Sequence, residues 1–190
     1  MKFTPTLTFE GGRIRPLEAT DRDALLVVYQ QPELPGQRPL EQPEQLDRMI
    51  ELSVQMAATQ RGMMWAIELG DDASGYQLLG MASAYDWQPS LLKVALRIDG
   101  LSALTMANRA AVLCSCIHFM AAKYHLRNFA YAWVQGQSDA IPAMLESIGF
   151  RASVIMRDGW RLGQHDYCEQ TLYHRILATT DMDTATEANV

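Results

Sequence analysis

Two aspartates at the ends of predicted strands are the side chains best placed to perform chemistry. Asp86 lies between Tyr85 and Trp87, where one predicted strand ends, and Asp99 follows the next predicted strand. A carboxylate in such a position can accept a proton from a substrate or bind a cationic amine. Acidic residues in turns are also commonly just solvated, so both interpretations of these aspartates stand.

The cysteines and histidines predict no metal centre. Cys114 and Cys116 face different sides of a predicted helix, because residues two apart on a helix do not meet. Together with Cys168 they form neither an even disulfide set nor a metal-ligand spacing. His118 within the same helix and His125 at its end are more typical of structural positions. A reducing compartment is the simpler interpretation, and we expect the protein to be cytoplasmic.

The charge balance and hydropathy exclude two classes of partner. The chain of 190 residues carries 16 Lys and Arg against 22 Asp and Glu, a formal net charge of -6. Because no basic stripe is present to neutralise a phosphate backbone, we expect no nucleic-acid partner. No segment approaches the ~18 consecutive apolar residues of a membrane span, so we expect no membrane association. An acidic balance suits a cationic substrate such as an amine, and equally suits a protein that only needs to stay soluble.

Hydrophobic periodicity predicts an α+β fold with a mixed central sheet of about seven strands, flanked by about four helices. The predicted strands cover residues 13–17, 64–69, 76–85, 93–98, 128–134, 153–156 and 167–176. The predicted helices lie around residues 25–29, 46–57, 112–124 and 141–148. With 48% hydrophobic residues the chain can bury one core, so we expect a single domain at residues 1–177. Residues 178–190 are small, polar and acidic, and we expect a disordered tail there.

Four short segments occur in an order that points to a known family. Residues 13–21 read RIRPLEATD, and a second segment, WAIE, begins at Trp65. The segment LRN begins at Leu126, and MLESIGF begins at Met144. Over roughly residues 13–176, these segments resemble the GNAT acetyltransferases, and in particular their ribosomal-protein N-acetyltransferase branch. The resemblance implies the GNAT fold and acetyl-CoA as the acyl donor.

In that family the fourth strand leads into a Q/R-x-x-G-x-G/A turn that holds the pyrophosphate of acyl-CoA. Glycine lets the backbone approach closely, and the N-terminus of the following helix favours an anion. Counting back from Leu126 places Ala103, Met106 and Asn108 at the three motif positions, and none of them matches. The motif is therefore degenerate, and we expect side chains such as Leu104 and Met106 to crowd a pyrophosphate.

The resemblance also assigns residues to the acyl-CoA site. It implies contacts from Leu96 and Ile98 of the predicted strand 93–98, and from Asn108 at the last motif position. Arg109 could supply the attraction for the pyrophosphate that the missing glycines no longer support. The alternative is that Arg109 is an ordinary exposed helix residue.

Three positions near the fourth predicted helix bear on catalysis. By the same alignment, Ser138 replaces an Asn of the family, Ile141 replaces a Ser near the cofactor arm, and Leu145 replaces the Tyr that protonates the leaving thiolate. Ser138 can still donate one hydrogen bond, whereas the other two side chains cannot. Ser138 could instead cap the helix, whose first turn contains Pro142.

The resemblance implies an N-acyltransferase that moves an acetyl group from acetyl-CoA to an amine by direct attack. The acceptor would be a small-molecule amine or a protein N-terminus. A second hypothesis is a catalytically inactive relative that binds a ligand or a partner protein, and a third is transfer from a carrier-protein thioester. Relatives often dimerise, and the apolar late strands would permit a homodimer.

Overall fold

One mixed sheet organises the part of the chain that the structure, a computed structural model, describes, residues 4–178. The strands are β1 (Leu7–Phe9), β2 (Gly12–Pro16), β3 (Met63–Asp71), β4 (Gly75–Gln88), β5 (Lys93–Gly100), β6 (Asn128–Val134), β7 (Arg151–Arg161) and β8 (Tyr167–Ile176). The helices are α1 (Arg22–Tyr29), α2 (Pro43–Ala58), α3 (Met106–Tyr124) and α4 (Ala140–Ser147).

The topology of the sheet places one parallel strand pair near its middle. The strand order is β1-β2-β3-β4-β5-β6-β8-β7, and among the described strands only β5 and β6 run parallel. A parallel pair needs a crossover connection, which α3 supplies between the end of β5 and the start of β6. Alternate side chains of β5, Val94, Leu96 and Ile98, pack in one core with α3 and α4. On the other face, α1 and α2 pack over Ala66 and Met81.

The α+β class and the number of helices are confirmed, but the sheet has eight strands where about seven were predicted. The additional strand is β1, which forms a hairpin with β2 by pairing Leu7 with Ile14 and Phe9 with Gly12. Gly11 makes the turn with a φ of 86°, a left-handed conformation that favours glycine. A strand of three residues is too short for hydrophobic alternation to reveal it.

Residues 179–190, which hold almost all of the predicted acidic tail at 178–190, lie outside the described residues. Between residues 4 and 178, no helix combines the length and apolar character that crossing a bilayer requires. In the same range, no three His, Cys, Asp or Glu side chains are grouped as metal ligands. All three cysteines are free thiols.

Candidate functional site

The parallel pair β5 and β6 separates partway along its length. Their register begins at Lys93 and Asn128 and ends at Leu96 and Tyr131. Both strands nevertheless continue, β5 to Gly100 and β6 to Val134. A cleft therefore opens in the middle of the sheet, and it widens toward the N-terminus of α3. We call the point where the pairing ends the divergence point.

The first of three cavities, which we call the α3-side cavity, lies at the open end of this cleft. It has a volume of about 420 Å³ and is bordered by the loop from Gly100 to Met106, by Arg109, and by Ser138 and Ile141 near α4. The cavity thus joins the loop assigned to acyl-CoA with the helix that carries the other aligned positions.

The N-terminus of α3 provides backbone donors at this cavity. Thr105 caps the helix by accepting a hydrogen bond from the Asn108 amide through its Oγ1, at 3.2 Å, and the Thr105 amide donates to Asn108 Oδ1 at 3.3 Å. Asn108 is therefore occupied in capping the helix. The amides of Met106 and Ala107, in the first helical turn, have no intrahelical acceptor. Such amides, with the positive end of the helix dipole, favour an anion.

Arg109 is buried, with 4% of its surface exposed, so its interpretation as an exposed helix residue is wrong. Its Nη1 donates to Glu33 Oε2 at 2.9 Å, and its Nη2 donates to Glu33 Oε1. Its Nε donates to the carbonyl of Leu104 at 3.1 Å, and Nη2 also donates to the carbonyl of Gly100 at 3.4 Å. Glu33 in turn accepts from the Gly100 amide at 2.7 Å. The charge of Arg109 is thus offset by Glu33, and the pair braces the loop that precedes α3.

In the loop before α3, the Leu104 side chain packs into the core. Leu104 is 2% exposed and belongs to the core on the α3 face. A Cβ added to Gly100 would lie 2.7 Å from the Leu104 side chain, so the glycine makes room for this insertion. Leu104 and Met106 both border the α3-side cavity, so their crowding of a pyrophosphate stays a prediction, although most of the Leu104 side chain is packed into the core.

A second cavity, the α1-side cavity, lies on the opposite face of the sheet. Its volume is about 380 Å³, and it is bordered by Tyr29 of α1, by Ser83 and Tyr85 of β4 and by Arg97 and Asp99 of β5. Asp99 is buried, and its Oδ1 accepts from Arg97 Nε at 3.0 Å and from Nη2 at 2.8 Å. Its Oδ2 accepts from the Tyr29 hydroxyl at 3.1 Å. An ion pair between the buried Asp99 and the partly buried Arg97 therefore borders this cavity.

A third, small cavity of about 50 Å³ lies at the divergence point and links the other two through shared residues. It shares Gln137 with the α3-side cavity, and it shares Tyr85, Arg97 and Trp160 with the α1-side cavity. Tyr131 also borders it. The three cavities are therefore neighbours, and the small one lies between the other two where β5 and β6 separate.

The two aspartates identified in the sequence lie in different surroundings. Asp86 is exposed, has a φ of 49°, and accepts a hydrogen bond from Gln88 Nε2 at 2.9 Å. It falls where the register of β4 and β5 is interrupted, whereas Asp99 pairs with Met81 further along. At the strand rise, the two carboxylates are separated by roughly 15 Å along the sheet. The structure thus places Asp99 at a cavity and Asp86 away from it.

Ser138 borders the α3-side cavity, and its Oγ accepts from the Ala140 amide at 3.3 Å. Its hydroxyl therefore helps to cap α4 and keeps its own proton available to donate. Ile141 and Leu145 are buried in the core. The side chains of Leu96 and Ile98 also point into the core under α3, so only their backbone groups can face the cleft.

The tyrosines at the cavities remain protonated at neutral pH. Burial, followed by the nearby Asp99 carboxylate, raises the pKa of Tyr29 well above its usual value. Burial also raises the pKa of Tyr85 and of Tyr131. Protonated hydroxyls can act as hydrogen-bond donors or as general acids.

Sequence reasoning missed several residues that form these cavities. Glu33 lies in the proline-rich segment between α1 and α2, which carries no recognisable motif, and its partner Arg109 is 76 residues away. Trp160 borders the α1-side cavity from β7, and its Nε1 donates to the carbonyl of Pro35 at 2.9 Å. Arg97 is the one residue of this group that the sequence could have indicated, because strand alternation places its side chain on the same face of the sheet as that of Asp99.

Comparison with known proteins identifies the fold. No family model matches the chain, and no curated protein matches it in sequence. A solved "probable acetyltransferase" is 20% identical, with a TM-score of 0.76 over 91% of this chain and 96% of that one. The microcin C7 self-immunity acetyltransferase MccE, in complex with acetyl-CoA and AMP, is 10% identical, with a TM-score of 0.75 over 88% and 93%. RimL, a ribosomal L7/L12 alpha-N-protein acetyltransferase in complex with coenzyme A, is 16% identical, with a TM-score of 0.72 over 91% and 97%.

These similarities confirm that the protein has the fold of the GNAT acetyltransferases, as its sequence segments indicated.

Proposed function

We propose that the protein is an N-acetyltransferase that moves an acetyl group from acetyl-CoA to an amine. The observation that supports this most strongly is the divergence of β5 and β6, with a cavity on each face of the sheet. An acyl donor and an acceptor can approach each other there from opposite sides. The fold is shared with acetyltransferases whose solved structures contain acetyl-CoA or coenzyme A.

The α3-side cavity fits the donor. The free amides of Met106 and Ala107 suit a pyrophosphate, and the cleft suits the pantetheine arm. Backbone groups of Leu96 and Ile98 then lie along the arm, and the Ser138 hydroxyl can donate a hydrogen bond to it. Because the charge of Arg109 is offset by Glu33, the attraction for the pyrophosphate comes mainly from the helix N-terminus.

The reaction proceeds by direct attack. The lone pair of a neutral amine adds to the thioester carbonyl carbon, a C–N bond forms, and the C–S bond breaks. The proton released by the amine passes through water to Asp99, which we favour over Asp86 because Asp99 borders the α1-side cavity. The leaving thiolate accepts a hydrogen bond from a hydroxyl at the cleft, either Ser138 or the protonated Tyr131. It takes its proton back through the water path from Asp99, which restores the carboxylate and needs no general acid at Leu145.

The alternative is a protein of the same fold that binds a ligand without transferring an acyl group. The observation that favours it is the buried Arg109–Glu33 pair. Among the residues that border the α3-side cavity, Arg109 is the one cation, and its charge is already offset by Glu33. The degenerate loop motif agrees with weak pyrophosphate binding. Both proposals predict a ligand in the cleft, and only the first predicts turnover.

Calorimetric titration tests the donor site by comparing acetyl-CoA with S-acetylpantetheine, which lacks the pyrophosphate, and a turnover assay then separates the two proposals. Tighter binding of acetyl-CoA supports the pyrophosphate site at α3, and equal binding indicates a carrier-protein thioester as the donor. Mass spectrometry of an amine panel then measures acetylated product. Ser138→Ala should weaken binding of both donors, while Ser90→Ala, at an exposed residue outside the cleft, should leave it unchanged. No binding at millimolar acetyl-CoA would exclude the acetyltransferase proposal.

A further inference from the structure

One pair of cross-strand neighbours presents unused hydrogen-bond donors to the α1-side cavity. Ser83 of β4 lies directly opposite Arg97 of β5. Ser83 is buried, with 9% of the residue exposed, it borders the cavity, and its hydroxyl has no hydrogen-bond partner within residues 4–178. Arg97 uses Nε and Nη2 for Asp99 and Gln37, and its Nη1 has no acceptor among the same residues. Neither atom counts among the buried unsatisfied groups of residues 4–178, so both are open to the cavity, and a ligand there can accept a hydrogen bond from each.

The chemistry of these donors selects a carboxylate. A guanidinium N–H and an adjacent hydroxyl can together bind the two oxygens of one carboxylate by charge-assisted hydrogen bonds. Arg97 is suited to this because burial, which lowers its pKa, is outweighed by the Asp99 carboxylate, which raises it, so it stays charged. Its side chain is 30% exposed, which leaves the free edge accessible from the cavity.

The overall charge of the α1-side cavity favours a zwitterion. Arg97 and Asp99 are the only charged residues that border it within the described chain, and they neutralise each other. A polyamine would find no uncompensated carboxylate there, and a dicarboxylate would find no second cation. A molecule with one amine and one carboxylate matches both members of the pair.

Apart from Gln37, the remaining walls of the cavity are apolar. They comprise Leu40, Met49, Met64 and Met81, with Trp160 at one side. Methionine side chains adapt to irregular apolar shapes, and a volume of about 380 Å³ accommodates an apolar side chain as well as the charged groups. An acceptor with an apolar body is therefore expected.

The position of Arg97 fixes where the amine lies. Arg97 is the first residue of β5 beyond the last pair with β6, and it borders the small cavity at the divergence point. In an α-amino acid, one carbon separates the amine from the carboxylate. A carboxylate held by Arg97 and Ser83 thus keeps the amine beside the point where the thioester would lie.

We propose that the acceptor is a free α-amino acid with an apolar side chain, whose carboxylate is bound by Arg97 and Ser83. This inference rests on the proposed acetyl transfer and specifies its substrate class. A peptide N-terminus does not satisfy it, because the carboxyl group of its first residue is engaged in an amide.

Matched substrates with and without the carboxylate test the inference. Methionine is compared with 3-(methylthio)propylamine, and phenylalanine with phenethylamine, by mass spectrometry of the acetylated products. We expect kcat/KM to be at least about tenfold higher for each amino acid, as hydrogen bonds to a charged group imply. Equal or higher kcat/KM for the amines, or for a peptide N-terminus, overturns the inference while leaving the acetyltransferase proposal intact.

Variants at Ser83 and Arg97 test whether these two residues cause the preference for the amino acid over the matched amine. Ser83→Ala should lower kcat/KM for methionine about tenfold, and it should reduce the preference over the amine by a similar factor. Arg97→Lys keeps a positive charge beside Asp99 but loses the planar fork, so the preference should also fall. Ser90→Ala is the matched control, because this exposed serine lies outside all three cavities. An unchanged preference in Ser83→Ala contradicts the inference.

A binding measurement keeps the inference testable if turnover is absent. Saturation-transfer NMR should detect methionine bound to the protein, with a much weaker signal for methionine methyl ester. Equal signals for the acid and the ester, or no signal for methionine at millimolar concentration, overturn the inference. Failure of acetyl-CoA to bind, in contrast, rejects only the acetyl transfer.

Discussion

The buried pair of Arg109 and Glu33 makes stability depend on a residue in the α1–α2 loop. We predict that Glu33→Gln strongly destabilises the protein, although the substitution only replaces one carboxylate oxygen of a loop residue by an amide nitrogen. The substitution removes the charge that compensates Arg109, whose side chain is 5% exposed, and leaves an uncompensated guanidinium beneath the loop before α3. The glutamine can keep one hydrogen bond to the arginine but cannot neutralise it.

The size of the effect follows from the burial of both partners. Removing one member of a buried ion pair costs about 3–5 kcal/mol, because the other charge remains desolvated. Glu33 is 18% exposed, so we take the lower end, about 3 kcal/mol. For a domain of this length each kcal/mol lowers the melting temperature by about 2–4 °C, so we expect a decrease of roughly 6–12 °C.

Differential scanning calorimetry and equilibrium urea unfolding measure this change. Replacing both partners, as in Glu33→Gln with Arg109→Met, should restore part of the lost stability, since no unpaired charge is then buried. Arg22→Gln removes a cation from an exposed ion pair with Asp23 and should change the melting temperature little. A Glu33→Gln variant that melts within about 2 °C of the wild type would refute the structural role of the pair.

Three further predictions concern titration, thiol reactivity and assembly. Burial, and then the charge of Lys93, lowers the pKa of His174 in the folded protein. As the pH falls, His174 therefore takes up its proton in the unfolded chain before it does so in the folded protein. The free energy of unfolding should thus fall as the pH drops below about 6.5. Urea unfolding between pH 8 and 5 measures this, and His174→Gln should flatten that part of the profile. Burial raises the pKa of Cys116 to about 12, so iodoacetamide should label it more slowly than Cys114 in the native protein, and equal labelling rates by mass spectrometry would contradict this. The edge strand β7 exposes 63% of Ile155, and we propose that it contributes to a homodimer, so Ile155→Lys should shift the mass in light scattering toward the monomer.

Most of the fold could be predicted because buried apolar side chains recur at the spacing of a strand or of a helix. The prediction at residues 93–98 falls within β5, Lys93–Gly100, where alternate side chains enter the α3 core. Strand β7, in contrast, was predicted only at 153–156 and extends over Arg151–Arg161. Nearly all of its residues are exposed on both faces, so hydrophobic alternation cannot mark its ends.

The candidate site was less predictable because its contacts join residues that are distant in sequence. Asp99 could be found from its own position, as a carboxylate at the end of a buried strand. The role of Arg109 could not be found this way, since its partner Glu33 lies in a segment without periodicity. Ser83 likewise reads as an unremarkable strand residue until its cross-strand neighbour is known to be Arg97.

The α1–α2 loop connects the two sides of the site. Glu33 binds Arg109 at the α3-side cavity, and only four residues later Gln37 accepts from Arg97 Nη2 at 3.1 Å at the α1-side cavity. Between them, the Pro35 carbonyl accepts from Trp160. The same short segment therefore contacts both cavities, and we expect a displacement at Glu33 to shift Gln37 beside the proposed carboxylate site. Because a change in one cavity alters the loop that lines the other, donor and acceptor binding should be energetically coupled, with the same factor in both directions.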